Sequence, residues 1–314
     1  MKRRILLGLL IAVGTLSIAV SAGIGLNVSP TQAAQAAQAA QPQGPRVIDM
    51  QKLKDNLYVL TSSSPGDRAT FSGGNVAVFI TGSGVTLVDT KLAGWGQAVL
   101  DKVKSVSDKP VTRIINTHTH GDHTGNDGFF GTTVEIIAQE NTRANMEKMD
   151  AFKGDNSKFL PKRMYQDKLS LGSGKERIDL YYFGAGHTNG DTFILFPALR
   201  VLHAGDMFAW KDAPLCDRNN GGSCVAFPKT LARAISTIKN VDTVIPGHSP
   251  MTTPKDLQEY QRFTADLLAQ SEAAMKAGRS VDEAAAAFKV DAYPGYKSDR
   301  VKAAVQAVYD ELKK

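Results

Sequence analysis

Five of the six histidines in this 314-residue chain occupy positions typical of metal ligands. Three of them lie in the short segment His118-Thr119-His120-Gly121-Asp122-His123, and His187 and His248 follow later, with Asp206 between them. Neutral imidazoles and carboxylates are the ligands of catalytic zinc, although iron and manganese accept the same types. The sequence therefore predicts a centre for two zinc ions, with iron or manganese as alternatives, and seven ligands: His118, His120, Asp122, His123, His187, Asp206 and His248.

The spacing within the dense segment excludes a regular helix as its scaffold. Its four ligands stand at positions i, i+2, i+4 and i+5, which span too wide an arc of a helix to face one point. A loop after a strand suits them better, because His118 and His120 can point the same way while Asp122 and His123 face a neighbouring site. The sixth histidine, His203, is predicted to be structural or to support the ligands from outside.

Short β-rich segments alternate with helices along the chain, and they must position these ligands. Helices are predicted over residues 95–107, 140–150 and 230–239. Strands are predicted over residues 57–61, 75–80, 85–88, 113–116, 134–138, 177–183, 192–196, 200–202 and 243–245. Two successive blocks of strands and helices predict an α/β fold, a four-layer αβ/βα sandwich with the ligand loops at one edge.

The sequence beyond residue 252 is predicted to be helical. Thr253 precedes Pro254 at a first helical position, and Ser280 with Glu283 forms a capping box for a second helix. A last helix carries an apolar stripe that includes Val301. We expect these helices to form an extension over residues 253–314 that packs on the preceding domain.

The first 33 residues have the layout of a secretory signal peptide. Lys2, Arg3 and Arg4 precede an apolar stretch from Ile5 to Leu26, and small residues follow. We predict cleavage and a periplasmic or secreted protein; an uncleaved membrane anchor is the alternative. Residues 34–46, rich in Ala, Gln and Pro, are predicted to be a disordered linker.

The charge of the chain does not favour nucleic acid as a partner. The formal charge of +6 falls to +3 without the three basic residues of the leader. No basic run with interleaved aromatic residues is present, which disfavours nucleic-acid binding. A small-molecule substrate is the predicted partner, and the sequence carries no signal for an oligomeric state.

The two cysteines, Cys216 and Cys224, are eight residues apart in a segment rich in Gly and Asn. Export permits disulfides, and the predicted metal ligands are complete without these residues. We therefore favour a disulfide that closes a small loop. Free thiols and metal ligation are the alternatives.

The motifs resemble, in order, those of the metallo-β-lactamase-fold superfamily of hydrolases over roughly residues 50–250. The resemblance implies a hydrolase domain over residues 47–252. The matching motifs are Gly84-Val85-Thr86-Leu87-Val88-Asp89-Thr90, the dense histidine segment, Gly186-His187-Thr188, Gly205-Asp206 and Pro246-Gly247-His248. The resemblance also assigns the ligands. It implies a first metal on His118, His120 and His187, a second on Asp122, His123 and His248, a bridging Asp206, and an Asp89 that orients the loop without binding metal.

The resemblance also implies hydrolysis by a metal-bound hydroxide that the two ions share. Asp122 is the predicted catalytic residue, because it could orient the attacking oxygen and pass on a proton. An ester, thioester, lactone or amide-type carbonyl is the predicted substrate. A class B-like β-lactamase is the alternative, although two of its subclasses carry Cys where Asp206 stands and the third lacks a bridging Asp there. A non-catalytic metal-binding or relay protein is the other alternative.

Loops at the ligand edge are expected to form the walls of the substrate site. The segments are residues 61–73 and 207–228, in which Phe71 and Trp210 could give apolar contact or pack in the ordinary way. A basic C-terminal group could bind substrate, but we favour a solvated helix face for it. Its members are Lys297, Arg300 and Lys302.

Overall fold

Two β-sheets that pack face to face form the centre of the protein in a computed structural model. The structure describes residues 48–61 and 70–313. The predicted signal peptide, the predicted linker and the first part of the 61–73 wall lie outside the described residues. Among the helices that are described, none has the length and apolar character required to cross a membrane.

The first sheet has seven strands, which lie side by side in the order in which they follow one another along the chain. Its first four strands are antiparallel neighbours, and the remaining pairings, from β4 to β7, are parallel. The strands are β1 (Asp49–Lys54), β2 (Leu57–Thr61), β3 (Val76–Thr81), β4 (Gly84–Val88), β5 (Val111–Ile115), β6 (Glu135–Gln139) and β7 (Arg163–Tyr165).

The second sheet has five strands in the order β12-β11-β10-β9-β8. Only β11 and β12 are parallel, and the other neighbours are antiparallel. The strands are β8 (Lys168–Leu171), β9 (Ile178–Tyr181), β10 (Phe193–Phe196), β11 (Val201–Gly205) and β12 (Thr243–Pro246). The carboxyl ends of β4 and β5, and those of β11 and β12, therefore each meet at one sheet edge.

Seven α-helices lie among the described residues. They are α1 (Gly96–Lys104), the single turn α2 (Gly121–Thr124), α3 (Glu140–Met146), α4 (Phe227–Thr237), α5 (Pro254–Lys276), α6 (Val281–Ala287) and α7 (Val301–Leu312). Short 3-10 turns connect several elements at residues 127–130, 150–152, 154–159, 174–176, 197–199, 206–208, 218–220 and 290–292.

Alternating side chains explain how each sheet is covered on both faces. On β5, Ile115 enters the cluster between the sheets, whereas its neighbour Ile114 packs under α1 with Val99. On β10, Ile194 lies between the sheets and Leu195 faces the C-terminal helices. Successive strand residues point to opposite faces, so apolar runs such as these suit strands that are buried on both sides. The predicted four-layer α/β sandwich is confirmed.

The helices after residue 252 pack on the second sheet. Tyr260, Phe263 and Val305 share one buried cluster with Phe193 of β10 and Leu231 of α4. Each large apolar side chain buried in this way contributes roughly 1.5–3 kcal/mol to stability. The predicted starts of α5 and α6 are confirmed, because Thr253 caps α5 with Pro254 in its first turn and the Ser280/Glu283 capping box begins α6; Asp256 completes a further box with Thr253.

Most of the predicted strands and helices are present within a few residues of their expected bounds. Three strands escaped prediction, namely β1, β7 and β8, and all three are edge strands. Their side chains are largely exposed, with only one buried residue each in β7 and β8 and none in β1. An edge strand that faces water carries no apolar run, so the hydrophobic pattern gave no signal there.

Candidate metal centre

Loops from both sheets bring the seven predicted ligands together at one edge of the sandwich. The loop after β5 carries four of them, on and just before the single turn α2. His187 lies between β9 and β10, Asp206 directly follows β11, and His248 follows β12. Three overlapping groups have their ligand atoms within 4.8 Å of one another: His118/His120/His187, His118/His123/Asp206 and Asp122/His123/His248.

The first histidine group consists of His118, His120 and His187. Nδ1 of His120 lies 2.9 Å from Nε2 of His187, and the ring of His118 stands edge-on to both of the others. His118 and His187 are buried, whereas the side chain of His120 keeps 22% of its surface exposed. The group therefore opens to solvent on the His120 side.

Hydrogen bonds on the outer side of each ring fix which nitrogen faces the centre. Nε2 of His120 meets a carboxylate oxygen of Asp217 at 2.7 Å, and Nδ1 of His187 meets the carbonyl oxygen of Leu215 at 2.7 Å. Both partners only accept hydrogen bonds, so these two ring nitrogens are the donors. The unprotonated nitrogens, Nδ1 of His120 and Nε2 of His187, then face inward as metal ligands must.

His118 receives its orientation through Thr117. The Thr117 hydroxyl donates to Asp89 at 2.8 Å, so its oxygen is free to accept from Nδ1 of His118 at 3.0 Å. Nε2 of His118 points into the centre and has no hydrogen-bond partner in the described chain.

The second group consists of Asp122, His123 and His248. Nε2 of His123 lies 3.2 Å from Nε2 of His248, and an Asp122 oxygen lies 3.4 Å from the same His248 atom. Asp206 reaches both groups, with its carboxylate oxygens 3.2 Å from His248, 3.4 Å from His123 and 3.5 Å from His187. One carboxylate thus stands between the two groups, where a bridging ligand is expected.

Asp89 stabilises this arrangement through hydrogen bonds to Thr117 and His123. Its carboxylate accepts three hydrogen bonds, from the Thr117 amide and hydroxyl at 2.8 Å each and from Nδ1 of His123 at 2.7 Å. The residue is buried and adopts a φ of 65°, a left-handed conformation that aspartate tolerates better than most residues. Asp89 therefore bonds to Thr117 and His123 of the ligand loop, and the role predicted for it, orienting the loop without binding metal, stays a prediction.

The fit of a cation can be judged from the buried polar atoms that remain unsatisfied. Nε2 of His118, Oδ1 of Asp206 and Nδ1 of His248 are buried and lack hydrogen-bond partners within the described residues. Burying such atoms without partners is costly, and most native polar atoms avoid it. Two of these three atoms, Nε2 of His118 and Oδ1 of Asp206, lie on the inner side of the groups. The set of donor atoms therefore fits bound cations.

The charges at the centre show what a cation would change. Burial holds the pKa of His118 well below its usual range and that of His187 at about 4, so both rings are neutral. Burial also opposes the charged form of His123, but Asp122, Asp206 and Asp89 outweigh it and raise its pKa to about 10. Burial would likewise raise the pKa of Asp206, yet His248 and His123 hold it well below its usual range. A cation at the second group would therefore displace a proton from His123.

Two glycines allow the loops to approach this closely. A Cβ on Gly74 would collide with the His123 ring, and one on Gly247 would collide with the Asp206 carboxylate. Only a residue without a side chain fits at either position.

Several supporting residues were missed by sequence analysis. Asp217 binds His120, Asp191 accepts two bonds from Thr188 beside His187, and Asn75 binds the carbonyl oxygens of Pro246 and Ser249 around His248. They lie far from their partners in the sequence or in ordinary turns, and no spacing rule marks them. His203, predicted to be structural or to support the ligands from outside, is buried and hydrogen-bonds to backbone atoms of Asn75 and Gly205.

The profile of the metallo-beta-lactamase superfamily matches residues 69–248, which include all seven predicted ligands. The chain belongs to this superfamily. The match ends before α5. The recognition made from the histidine and aspartate motifs is confirmed.

Known relatives and structures of the superfamily agree with this membership. A protein named metallo-beta-lactamase type 2 from Elizabethkingia meningoseptica is 26% identical over 242 residues, which cover 73% of this chain and 88% of the relative. One of the same name from Bacillus cereus is 24% identical and covers 64% and 76%, respectively. A solved structure, of a metallo-beta-lactamase from Pontibacter korlensis, superposes with a TM-score of 0.59 at 19% identity, covering 70% of this chain and 99% of that one, and supports the fold.

Membership and geometry together support a hydrolase with a metal-binding centre made of histidine and aspartate. The Cys216–Cys224 disulfide expected from the sequence is also present, with a Cα–Cα distance of 5.6 Å. It lies in the loop that carries Asp217, next to the first histidine group.

Proposed function

We propose that this protein is an exported hydrolase with two zinc ions that cleaves a carbonyl ester, thioester, lactone or amide. One observation carries the proposal above all. In His118, His120 and His187, a hydrogen bond to the outer nitrogen of each ring leaves the other nitrogen unprotonated and directed at one point. Asp206 lies between that point and the second group. His118, His120 and His187 would hold one ion, Asp122, His123 and His248 the other, and Asp206 would bind both.

Zinc supplies Lewis acidity and lowers the pKa of the water it binds to about 7, which provides a nucleophile at neutral pH. The protein's own residues position the reactants. Asp122 is the least buried of the carboxylates at the centre, with 24% of its side chain exposed, so one of its oxygens can face substrate and solvent. We assign it the catalytic role of orienting the attacking oxygen and holding its proton.

Apolar side chains border the open side of the centre and favour a substrate with an apolar portion. The rings of Phe71 and Trp210 lie 5.7 Å and 5.4 Å from the His248 ring, and the Leu215 side chain is 44% exposed. Phe71 and Trp210 belong to the two predicted wall segments. They pack against a proposed ligand, and each keeps part of its surface exposed.

The C-terminal extension adds one cation to this border. The guanidinium of Arg300 lies 4.2 Å from the centre of the Trp210 ring, a cation–π contact. Lys302 instead forms an exposed ion pair with Asp282, which fits the solvated face expected for it. Arg300 therefore favours substrates that carry an anionic group near the scissile carbonyl.

A β-lactam is the second candidate substrate, because the similar proteins from Elizabethkingia meningoseptica and Bacillus cereus carry the name metallo-beta-lactamase. Asp206 argues against it, because two subclasses of those enzymes have a cysteine at this position and the third has no bridging aspartate there. A bridging carboxylate is typical of the thioesterases and lactonases of the superfamily.

Export is supported by the disulfide, since such bonds persist in oxidising compartments. Cell fractionation, with mass spectrometry of the mature N-terminus, tests both export and cleavage near residue 33. Recovery of the intact chain in the cytoplasm would contradict this part of the proposal.

The decisive experiment combines metal analysis with a substrate panel on the full-length protein. We expect two zinc ions per chain and metal-dependent cleavage within a panel of esters, thioesters, lactones, β-lactams and phosphodiesters, with anionic and neutral members of each class. A protein that holds two ions but cleaves none of them would instead be a metal-binding or relay protein. A protein that holds no metal would refute the proposal entirely.

A further inference from the structure

The loop closed by the Cys216–Cys224 disulfide contacts the first histidine group through residues on both sides of Cys216. The residue before it, Leu215, accepts a hydrogen bond from His187 through its carbonyl oxygen at 2.7 Å. The residue after it, Asp217, accepts one from His120 through its carboxylate at 2.7 Å. Two of the three rings in this group are therefore oriented by one short segment of a loop.

The same loop is attached to the backbone around His187. The Asp217 amide donates to the His187 carbonyl at 2.8 Å, and the Ser223 amide donates to the Gly186 carbonyl at 2.9 Å. Within the loop, the Gly222 amide donates to the Asp217 carbonyl at 2.7 Å. The disulfide thus closes a loop whose two ends are docked on the turn that presents His187.

The Asp217 carboxylate is itself held in place. One oxygen accepts from the Asn219 and Asn220 amides at 3.0 and 3.4 Å, and the other accepts from the Asn220 side chain at 2.7 Å as well as from His120. With these donors facing both oxygens, the carboxylate can act on His120 only as an acceptor. Such a partner keeps the proton on Nε2 and the lone pair of Nδ1 directed at the centre.

We propose that Asp217 is the positioning residue of the first metal site and that the disulfide-closed loop makes the affinity of this site sensitive to thiol reduction. The inference rests on the proposed two-metal function, because it concerns how tightly one of the two ions is held. Opening the disulfide would free Leu215 and Asp217 together from their docked positions. The second group has its own support in Asp89 and would keep its ion.

The test compares four proteins: wild type, Asp217→Asn, Asp217→Glu and Asp150→Asn. Asn at position 217 has one acceptor oxygen where Asp has two, so its NH2 group would face either Nε2 of His120 or the Asn219 and Asn220 amides, whereas Glu keeps a carboxylate. Asp150, an exposed residue paired with Lys153, is the matched control for the change of charge. Each metal-free protein is titrated with zinc against a competing chelator, and each cobalt-loaded protein is compared by its visible absorption.

We expect wild type and Asp150→Asn to bind two ions with the same affinities. Asp217→Asn should bind one ion normally and the other about 10–100-fold more weakly, as is usual when the outer partner of a metal-bound histidine is lost. It should also change the cobalt spectrum, and Asp217→Glu should recover most of both properties. Equal affinities in wild type and Asp217→Asn would overturn the positioning role, and so would an equal loss at both sites.

A second comparison tests the disulfide. The Cys216→Ser/Cys224→Ser protein should bind the ion of the first site with at least a fivefold loss of affinity. Wild type treated with a phosphine reductant should behave in the same way. The reductant should have no effect on the double variant, which controls for direct action on the metal. An affinity unchanged by opening the disulfide would overturn the redox part. A wild type that binds no metal would instead refute the proposed function.

Discussion

Two histidine–aspartate pairs flank the centre at the same distance but in different surroundings. His123 and Asp89 are 2.7 Å apart, and neither side chain has any exposed surface. His120 and Asp217 are also 2.7 Å apart, yet they keep 22% and 21% of their side-chain surface exposed. Both histidines belong to the loop after β5, but Asp89 directly follows β4 in the core, whereas Asp217 belongs to a surface loop closed by a disulfide.

The difference shows that removing an aspartate that orients a histidine can have two different consequences. Removing the buried aspartate leaves several donors without an acceptor inside the protein, which destabilises the fold as well as the site. Removing the exposed aspartate lets water replace the lost bond, so the effect should be confined to the ion that His120 binds. His123 of the second group therefore depends on a carboxylate in the core, whereas His120 of the first group depends on one in a partly exposed surface loop.

The largest expected effect comes from Asp206→Ala, which removes the carboxylate that lies within 3.5 Å of histidines of both groups. We expect both ions to be lost at chelator concentrations that wild type resists, and hydrolysis to fall at least about 1,000-fold, the range for loss of a key electrostatic contact. Metal content and hydrolysis rate should be measured on the same preparation. Normal metal content with normal activity would show that Asp206 does not bridge.

Asp89→Asn is the direct counterpart of Asp217→Asn. One amide oxygen cannot accept the three bonds that the Asp89 carboxylate accepts, so at least one donor loses its partner. We expect a 10–100-fold weaker affinity for one ion and a fold destabilised by about 2 kcal/mol even without metal. Denaturant unfolding of the metal-free variants gives the comparison. If Asp217→Asn lowers the free energy of unfolding as much as Asp89→Asn does, the contrast between the pairs is wrong.

Lys91→Met tests the buried side of the comparison, because Lys91 is a buried residue whose charge interacts with Asp89. Lys91 has no exposed surface, adopts a φ of 69°, and its Nζ lacks a hydrogen-bond partner in the described chain. Burial lowers its pKa from 10.5 to about 7, against the opposing attraction of Asp89 and Asp122. Below pH 7 the folded protein carries the full cost of a buried ammonium group, and the cost disappears as the pH rises toward 10.5.

We therefore expect Lys91→Met to raise the free energy of unfolding of the metal-free protein by about 2 kcal/mol at pH 7. The gain should shrink steadily between pH 7 and pH 10.5. Lys153→Met, at an exposed ion pair, is the control and should change little. A loss of stability in Lys91→Met would mean that the ammonium group has a partner that the pKa shift does not reflect.

The smallest expected effect is that of Trp210→Ala. The Trp210 ring borders His248, in the second group, and supports Arg300. We expect KM for an anionic substrate to rise about fivefold with kcat nearly unchanged, since one apolar contact and one cation–π contact are lost. Steady-state kinetics with matched anionic and neutral esters provide the measurement. An equal change for both esters would remove Arg300 from the recognition of charge.

The cluster of the seven candidate ligands could be predicted from the sequence, because their types and local spacing are those that metal binding requires. The strands that precede these residues could be predicted because they are apolar runs. The same apolar side chains stabilise the fold, since strands such as β10 are buried on both faces. Asp217 could not be predicted as a partner of His120, because 97 residues separate them and only the docked loop brings them together. In the sequence Lys91 looks like an ordinary lysine of a loop, and only the structure shows that it is buried.

The candidate ligands come from both sheets, with four from the loop after β5 and three from loops of the second sheet. An ion held by such a set would cross-link the two sheets at their shared edge. Ligands that bind only the native state stabilise it in proportion to the logarithm of their concentration over Kd. We therefore expect loaded protein to unfold as one cooperative unit and slowly, whereas the chelated protein should open first along this edge and become accessible to proteases there.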